Sequence, residues 1–232
     1  MVNANRLENV SKPPRGLFVI GTDTEVGKTY IACLLARHLA SLGNRVGVYK
    51  PVASGNDASV TSDAELLRAA SQTDWPLEQV CPQQFSMPLA PPLAAELEGR
   101  SVDKNKLVDG AHWWYGQCDT LIVEGAGGAL SPIATDWTVL DLAQRIRLPL
   151  LLVADNRLGV VNHVLLSLEA ASQRGLAVTS VVLNDMSQNP ADSSTHWNRQ
   201  LIERFAPQMS VIPIPFGTVR WPAIGLDLCD PT

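Results

Sequence analysis

The sequence lacks the features that mark several common classes of protein. Its four cysteines, Cys33, Cys81, Cys118 and Cys229, are widely separated and form no C-x-x-C pair, so neither a zinc site nor a redox motif is predicted. Four reduced thiols are typical of cytosolic proteins. No apolar run approaches the roughly 20 residues that span a bilayer, and the first residues contain no apolar signal-peptide core. We therefore expect a cytoplasmic protein.

Concentrated positive charge is also missing. The formal net charge is −5 at pH 7, and the 18 Lys and Arg residues are scattered along the chain. Nucleic-acid binding and membrane-surface binding both need clustered positive charge, so the sequence predicts neither partner. The four histidines are dispersed, and we expect no histidine metal cluster. The Trp113-Trp114-Tyr115 cluster is predicted to lie in the core or in a dimer contact, because no basic stripe accompanies it.

Apolar residues are abundant and are arranged for a layered fold. Hydrophobic residues make up 46% of the chain and charged residues 18%, which is enough apolar material for a continuous core. Short, continuously apolar runs are typical of strands buried on both faces. Their alternation with helical patterns predicts an α/β fold with a mostly parallel sheet and helices on both faces. The strands are predicted at 17–20, 46–49, 121–123, 150–153, 181–183 and 211–214, and the helices at 28–42, 63–71, 103–117, 138–147, 160–174 and 194–206.

The domain organisation predicted from the sequence is simple. The chain contains no internal repeat and no low-complexity segment. Residues 1–15 are predicted to be a flexible polar tail, and residues 16–232 a single domain. The proline-rich stretch 76–92 is predicted to be a loop inside that domain, because strand and helix patterns continue beyond it.

A phosphate-binding loop is the strongest chemical signal in the sequence. Residues 21–29, GTDTEVGKT, follow an apolar strand and open a helix. In that setting backbone N–H groups wrap phosphates, and the helix N-terminus adds the positive end of its dipole. The slot of the first glycine in the general pattern holds Thr22, with Gly21 one residue upstream. Lys28 is predicted to reach the β- and γ-phosphates, and the Thr29 hydroxyl to bind Mg²⁺.

A second glycine-rich turn follows the third main strand. Residues 123–128 read VEGAGG. A carboxylate at the C-terminal end of a strand faces the crevice in which α/β sheets bind ligands. Glu124 is predicted to hold Mg²⁺ directly or through water, and the glycines to let the backbone approach a ligand closely. An ordinary tight turn with a solvated Glu124 is the alternative, which the neighbouring phosphate loop disfavours.

Three further segments, together with these two loops, closely resemble the dethiobiotin synthetase family. They read YKPVASG at 49–55, LGVVNH at 158–163 and LND at 183–185, and the similarity runs from about residue 16 to 216 in the same order. The resemblance implies a single-domain P-loop NTPase fold. It also implies an ATP-dependent cyclo-ligase of biotin synthesis that acts on 7,8-diaminopelargonate and CO₂. In that reaction the substrate forms a carbamate, ATP phosphorylates it to a carbamic–phosphoric anhydride, and a second amine closes the ring and releases phosphate.

The resemblance also implies roles for charged residues. Lys50 and Lys28 are the implied catalytic residues, because two cations can separate the carbamate from the γ-phosphate as the phosphoryl group is transferred. Mg²⁺ is the implied cofactor, held by Thr29, Asp63 and Glu124. Taken without the family, Lys50 would be read as a surface lysine and Asp63 as part of a helix start.

Uncharged residues complete the implied site. Ser54 is expected to hydrogen-bond the reacting end of the substrate, and Asn184 to read the adenine, since a carboxamide both donates and accepts. The remote substrate carboxylate is expected at a helix N-terminus near Gly159, Val160 and Asn162, contributed by the second subunit of a homodimer. The implied ATP-binding residues are Thr24, Glu25, Val26, Gly27, Lys28, Thr29, Asp63, Glu124, Gly125, Ala126, Gly127, Asn184, Asp185, Pro213, Ile214 and Pro215.

The chain departs from the family at one position, and one alternative family shares its expected fold. Members of the family commonly carry Pro-His where this chain has Pro91-Pro92, so no imidazole role is transferred there. The main alternative is a P-loop ATPase switch of the partitioning or septum-positioning type, which shares the fold. Such ATPases carry an extra lysine near the start of the phosphate loop, where this chain has Asp23. They also usually present a basic face or a membrane-targeting helix.

Overall fold

The computed structural model describes residues 14–55, 61–188 and 193–222. Its centre is a six-stranded sheet whose paired strands are parallel throughout those residues. The strands of this sheet are β1 (Arg15–Gly21), β2 (Val46–Tyr49), β5 (Thr120–Gly128), β8 (Leu150–Asp155), β9 (Val178–Asn184) and β10 (Ser210–Ile214). Their order is β10-β9-β8-β1-β5-β2. The predicted parallel α/β sheet is confirmed.

Helices connect these strands. They are α1 (Lys28–Ser41), α2 (Asp63–Ser71), α3 (Leu77–Val80), α4 (Pro91–Leu97), α5 (Lys104–Trp113), α6 (Val139–Ile146), α7 (Val160–Ser172) and α8 (Thr195–Phe205). The chain moves in one direction across the sheet from β1 to β2, and in the other direction from β5 through β8 and β9 to β10. Right-handed crossovers therefore place α1 on one face and α6, α7 and α8 on the other.

The core follows directly from the apolar runs. In β1 every residue after Arg15 is buried, and β2 is buried along its whole length, as two covered faces require. Helix α1 buries Ile31, Leu34, Leu35 and Leu39 against the sheet. These residues recur three and four positions apart and so share one face of the helix.

The proline-rich stretch 76–92 was predicted to be a loop, and this prediction is wrong in part. It contains α3, a short strand β4 (Gln84–Phe85) and the first residues of α4. Strand β4 pairs with β3 (Ala53–Ser54), which follows β2. Pro91 occupies the first turn of α4, where the missing N–H costs nothing because a helix leaves its first N–H groups unpaired. A small antiparallel pair, β6 (Pro132–Ala134) and β7 (Trp137–Thr138), also escaped prediction.

The ends of the predicted elements shift by a few residues. Helix α5 ends at Trp113 rather than at 117, and Gly116 follows with a φ of 79°. Strand β1 begins at Arg15, one residue before the predicted start of the domain. The predicted flexible tail lies outside the described residues except for its last two positions. Trp114 and Tyr115 are buried in the core, and Trp113 packs against it. Within the residues described, no helix is both long enough and apolar enough to cross a membrane.

Candidate functional site

The C-terminal ends of β1, β2 and β5 meet at one edge of the sheet, beside a pocket of about 500 Å³. Parallel α/β sheets bind their ligands at this edge. The pocket brings together both glycine-rich loops and the segment after β2. Its lining residues are Thr24, Glu25, Gly27, Lys28, Thr29, Lys50, Ala53, Ser54, Asp63, Glu124, Gly125, Ala126, Gly127 and Met186.

The phosphate loop runs from the end of β1 to the start of α1. Gly27 has a φ of 90°, and a Cβ atom at this position would lie 2.2 Å from Asn184 Nδ2. The turn therefore needs glycine both for its backbone conformation and for space. Lys28 Nζ donates a hydrogen bond to the Asp23 carbonyl at 2.7 Å. This contact links the start of the phosphate loop to the start of α1.

Lys28 sits in an environment that disfavours its charge. The pKa of Lys28 is lowered to about 8, chiefly by burial and also by the nearby Lys50 ammonium, while the Glu124 carboxylate opposes both effects. A phosphate placed in the loop would supply the missing negative charge. The site is therefore electrostatically suited to an anion next to Lys28.

Lys50 lies directly after β2, and only 6% of its surface is exposed. Its backbone N–H donates to the Val80 carbonyl at 2.7 Å, which fixes the start of the side chain. Its ammonium forms ion pairs with Asp63 and with Glu124, the latter at 2.9 Å. Burial alone would lower the pKa of Lys50, but the two carboxylates outweigh it and raise the pKa. Lys50 is therefore a permanent positive charge inside the pocket.

Local structure positions Asp63 at the start of α2. Ser62 caps the helix through a capping box: Glu65 N–H donates to the Ser62 hydroxyl, and Ser62 N–H donates to the Glu65 carboxylate at 2.8 Å. Such a cap stabilises a helix by about 1 kcal/mol. The sequence thus correctly predicted a helix start at Asp63, and Asp63 also lines the pocket.

Glu124 combines deep burial with an unused oxygen. Thr29 Oγ1 donates to Glu124 Oε1 at 2.7 Å, and the side chain is 1% exposed. Among the described residues, Glu124 Oε2 has no hydrogen-bond partner. A buried oxygen without a partner is costly, and a divalent cation beside Glu124, Thr29 and Asp63 would satisfy it. The described part of the chain holds no cluster of three or more His, Cys, Asp or Glu suited to a metal. Phosphate oxygens and water would have to complete the coordination.

Asn184 connects β9 to the phosphate loop. Its side chain is buried, and Nδ2 donates to the Val26 carbonyl at 3.1 Å and lies 2.9 Å from Met186 Sδ. Met186 is half exposed and lines the pocket. The sequence analysis missed Met186, and its only signal was its place two residues after Asn184. Pro213 and Ile214 lie in β10 beside β9, and Pro215 follows.

Asp185 contacts residues at the ends of β8 and β10. Its N–H donates to the Ile214 carbonyl at 2.9 Å, and its carboxylate accepts from Asn156 Nδ2 at 2.8 Å. The Asp185 side chain is therefore tied to the end of β8, a contact that the sequence did not predict.

The remaining predicted residues fall into two groups. Ser54 lies in the pocket, within the short strand β3. Gly159, Val160 and Asn162 lie at the start of α7, and in the chain as described they do not line that pocket. Gly159 has a φ of 89° and forms the N-cap of the helix. His163, in the first turn of α7, instead lines a second pocket of about 480 Å³ together with Thr22 and Asp23 of the phosphate loop.

Comparisons with known proteins match the chain to one family model and to several relatives that share one name. Residues 15–219 match the family model described as an AAA domain. The chain is 48% identical over 170 residues to the ATP-dependent dethiobiotin synthetase BioD of Anaeromyxobacter dehalogenans (strain 2CP-1), which covers 73% of this chain and 76% of the relative. It is 43% identical to the same enzyme of Bacillus licheniformis, over 86% of both chains. It is 40% identical to that of Rhodopirellula baltica, over 86% of this chain and 84% of the relative.

Proposed function

The chain belongs to the ATP-dependent dethiobiotin synthetase family, and from this membership we propose that it uses ATP to convert 7,8-diaminopelargonate and CO₂ into dethiobiotin. The observation that carries the proposal is the position of Lys50. Its ammonium lies in the same pocket as Lys28, between two carboxylates that border the phosphate loop. The proposed reaction brings two anions together, a carbamate and the γ-phosphate of ATP, and the two lysines can offset the repulsion between them.

The proposed reaction has three steps. An amine of the substrate adds to CO₂ and loses a proton, forming a carbamate. A carbamate oxygen then attacks the γ-phosphorus of ATP, and the bond to the β-phosphate oxygen breaks to release ADP. Finally the second amine attacks the carbonyl carbon of the anhydride and loses a proton, the C–O bond to the phosphoryl group breaks, and the ureido ring closes as hydrogen phosphate leaves.

The positive charges of the pocket assist the second step, the transfer of the phosphoryl group to the carbamate. Two unit charges 4 Å apart repel by about 4 kcal/mol at the effective dielectric of a protein surface, and the carbamate must approach a γ-phosphate that carries more than one. Lys28 and Lys50 supply two positive charges at fixed positions. Fixed charge needs no reorganisation when the phosphoryl group moves, and this is the main catalytic contribution in such transfers.

Mg²⁺ is the cofactor we propose, held by Thr29, Asp63 and Glu124. When bound, it would neutralise charge on the β- and γ-phosphates. The buried Oε2 of Glu124, unpartnered among the described residues, supports this assignment. Thr29 donates its hydrogen to Glu124 Oε1, so the lone pairs of its hydroxyl oxygen stay available to a cation.

The ATP base and the substrate occupy opposite ends of the proposed complex. Asn184 and Asp185, together with Pro213, Ile214 and Pro215, flank the base, while Thr24, Glu25, Val26, Gly27 and the 125–127 turn surround the phosphates. Ser54 hydrogen-bonds the reacting end of the substrate. The remote carboxylate binds at the start of α7, at Gly159, Val160 and Asn162, from the second subunit of a homodimer. The proposal involves no nucleic acid and no membrane, and it places the enzyme in the cytoplasm.

Phosphate release tests the proposal. The purified protein with Mg²⁺ and ATP should release phosphate only when both diaminopelargonate and bicarbonate are present, and mass spectrometry should detect dethiobiotin. Phosphate release stimulated by DNA or lipid, with no response to the diamine, would support the switch-type ATPase instead. Asp23 argues against that alternative, because its carboxylate accepts from the Thr24 N–H at 2.7 Å at the position where those ATPases carry a lysine.

A further inference from the structure

Two side-chain amides and one carboxylate form a hydrogen-bonded chain that joins three elements beyond the phosphate pocket. Asn198 on α8 is buried, with 3% of its surface exposed. Its Nδ2 donates to Asn156 Oδ1 at 2.9 Å and to the Arg157 carbonyl at 3.2 Å. Asn156 Nδ2 in turn donates to Asp185 Oδ1 at 2.8 Å and contacts the Thr195 carbonyl at 3.4 Å. We call Asn156, Asp185 and Asn198 the amide network.

The amide network lies between the two parts of the proposed site. At one end it meets the end of β9, since Asn156 N–H donates to the Asn184 carbonyl at 2.9 Å. At the other end it holds the turn 156–159, which leads from β8 into α7. The amide network thus connects the end of β9, which is proposed to face the base of ATP, with the start of α7, which is proposed to bind the substrate carboxylate.

The turn itself has little packing to hold it. Arg157, Leu158 and Gly159 are all exposed, and Leu158 leaves 73% of its surface in solvent. Exposed turns with few buried contacts move easily. A buried carboxamide that uses both amide hydrogens on the turn is a strong constraint, because breaking the contact would leave polar groups unpaired inside the protein.

The direction of the first turn of α7 matters for an anion. The first N–H groups of a helix point along its axis and bind a carboxylate only when that axis is aimed at it. A displacement of about 1 Å is enough to weaken such alignment substantially.

We propose that Asn198 and Asn156 are positioning residues for the remote carboxylate of the substrate. They fix the turn 156–159, and with it the start of α7, relative to the end of β9. This inference rests on the proposed function. Because α7 serves the other subunit in that proposal, the amide network of one subunit shapes the substrate site of its partner.

The test uses the full-length enzyme and three variants. Asn198→Ala removes the carboxamide, and Asn198→Asp keeps its size but replaces the donor with an acceptor. Gln200→Ala is the matched control, because it removes an exposed carboxamide from the same helix. Steady-state kinetics are measured with the natural diamine and with a vicinal alkyl diamine that lacks the remote carboxylate, and melting temperatures are recorded in parallel.

Both Asn198 variants should raise the KM for the natural diamine about tenfold, while kcat and the KM for ATP change less than about twofold. The carboxylate-free diamine should react equally well with the wild type and with these variants, and Gln200→Ala should behave as the wild type throughout. A role confined to stability would lower the melting temperature and leave every KM unchanged.

Two results would overturn the inference: an unchanged KM for the natural diamine, whether or not the KM for ATP rises, or an equal rise in KM for the natural and the carboxylate-free diamine. If neither Asn198 variant folds, Asn156→Ala, at a less buried position, is judged by the same criteria. Failure of the proposed function is separate, because the wild type itself would then not turn over the diamine.

Discussion

Lys50 Nζ lies 2.9 Å from Glu124 Oε1, and both side chains are buried at the edge of the sheet. The two residues are 74 positions apart in the sequence, and they meet because β2 and β5 are neighbouring parallel strands. The same Glu124 oxygen accepts from Thr29 at the start of α1. A lysine, a carboxylate and the hydroxyl of the phosphate loop thus form one connected unit, so a change at one of them alters the electrostatics of all three.

Metal binding should depend on Glu124. Glu124→Gln keeps the size of the side chain and removes its charge, so we expect the affinity for Mn²⁺ in the presence of ADP to fall at least about tenfold. Electron paramagnetic resonance of free Mn²⁺ measures this affinity. Glu203→Gln, which alters an exposed ion pair on α8, is the control and should bind as the wild type. Equal affinities of the two variants would argue against a metal at Glu124.

ATP binding without metal should take up a proton near pH 8. Burial lowers the pKa of Lys28 to about 8, and a bound phosphate favours the charged form and raises that pKa again. Affinity should therefore be greatest below pH 8 and fall by up to about tenfold per pH unit above it. Calorimetry in EDTA, in buffers of different ionisation enthalpy, measures the proton uptake. Lys28→Arg should abolish the proton uptake, since a guanidinium stays charged. If the wild type takes up no proton, Lys28 is not the group that titrates on binding.

Gly27 and Gly43 offer a matched pair for the shape of the phosphate loop. Both have a φ near 90°, but a Cβ at Gly27 would strike Asn184, whereas at Gly43 it would meet nothing within 4 Å in the described structure. Both Ala variants should lose about 1–2 kcal/mol of stability from backbone strain. Only Gly27→Ala should also weaken ATP binding by more than about tenfold. Chemical denaturation and calorimetry measure the two effects, and similar ATP affinities for both variants would refute this reading of the loop.

Sequence patterns predicted the fold well, because buried parallel strands are continuously apolar and α1 shows a clear helical period. They failed at Pro91, where proline suggested a loop although it begins α4. They also gave no sign that Asn156 contacts Asp185 and Asn198, which lie 29 and 42 positions away. Such contacts depend on how strands and helices are arranged in space, and a polar residue that follows a strand carries no local signal of its partner.

The candidate site, like the fold, could be predicted only in part from the sequence. The phosphate loop was recognised from its strand–glycine–helix setting, and Lys50 and Asp63 only through resemblance to a family. Neither route predicted that Lys50 would pair with Asp63 and Glu124 at once, since these partners lie 13 and 74 positions away. The pairing became visible only when the ends of β2 and β5 and the start of α2 were placed together.

The role of Lys50 in phosphoryl transfer is tested by the Lys50→Ala variant, with kcat and the ATP dissociation constant measured on the same preparation. Lys104→Ala, which removes an exposed lysine paired with Asp136, is the control. We expect Lys50→Ala to lower kcat at least about a hundredfold while ATP binds with nearly wild-type affinity, because in the proposed mechanism Lys50 acts on the reacting groups. Loss of ATP binding, or turnover equal to that of the control, would contradict it.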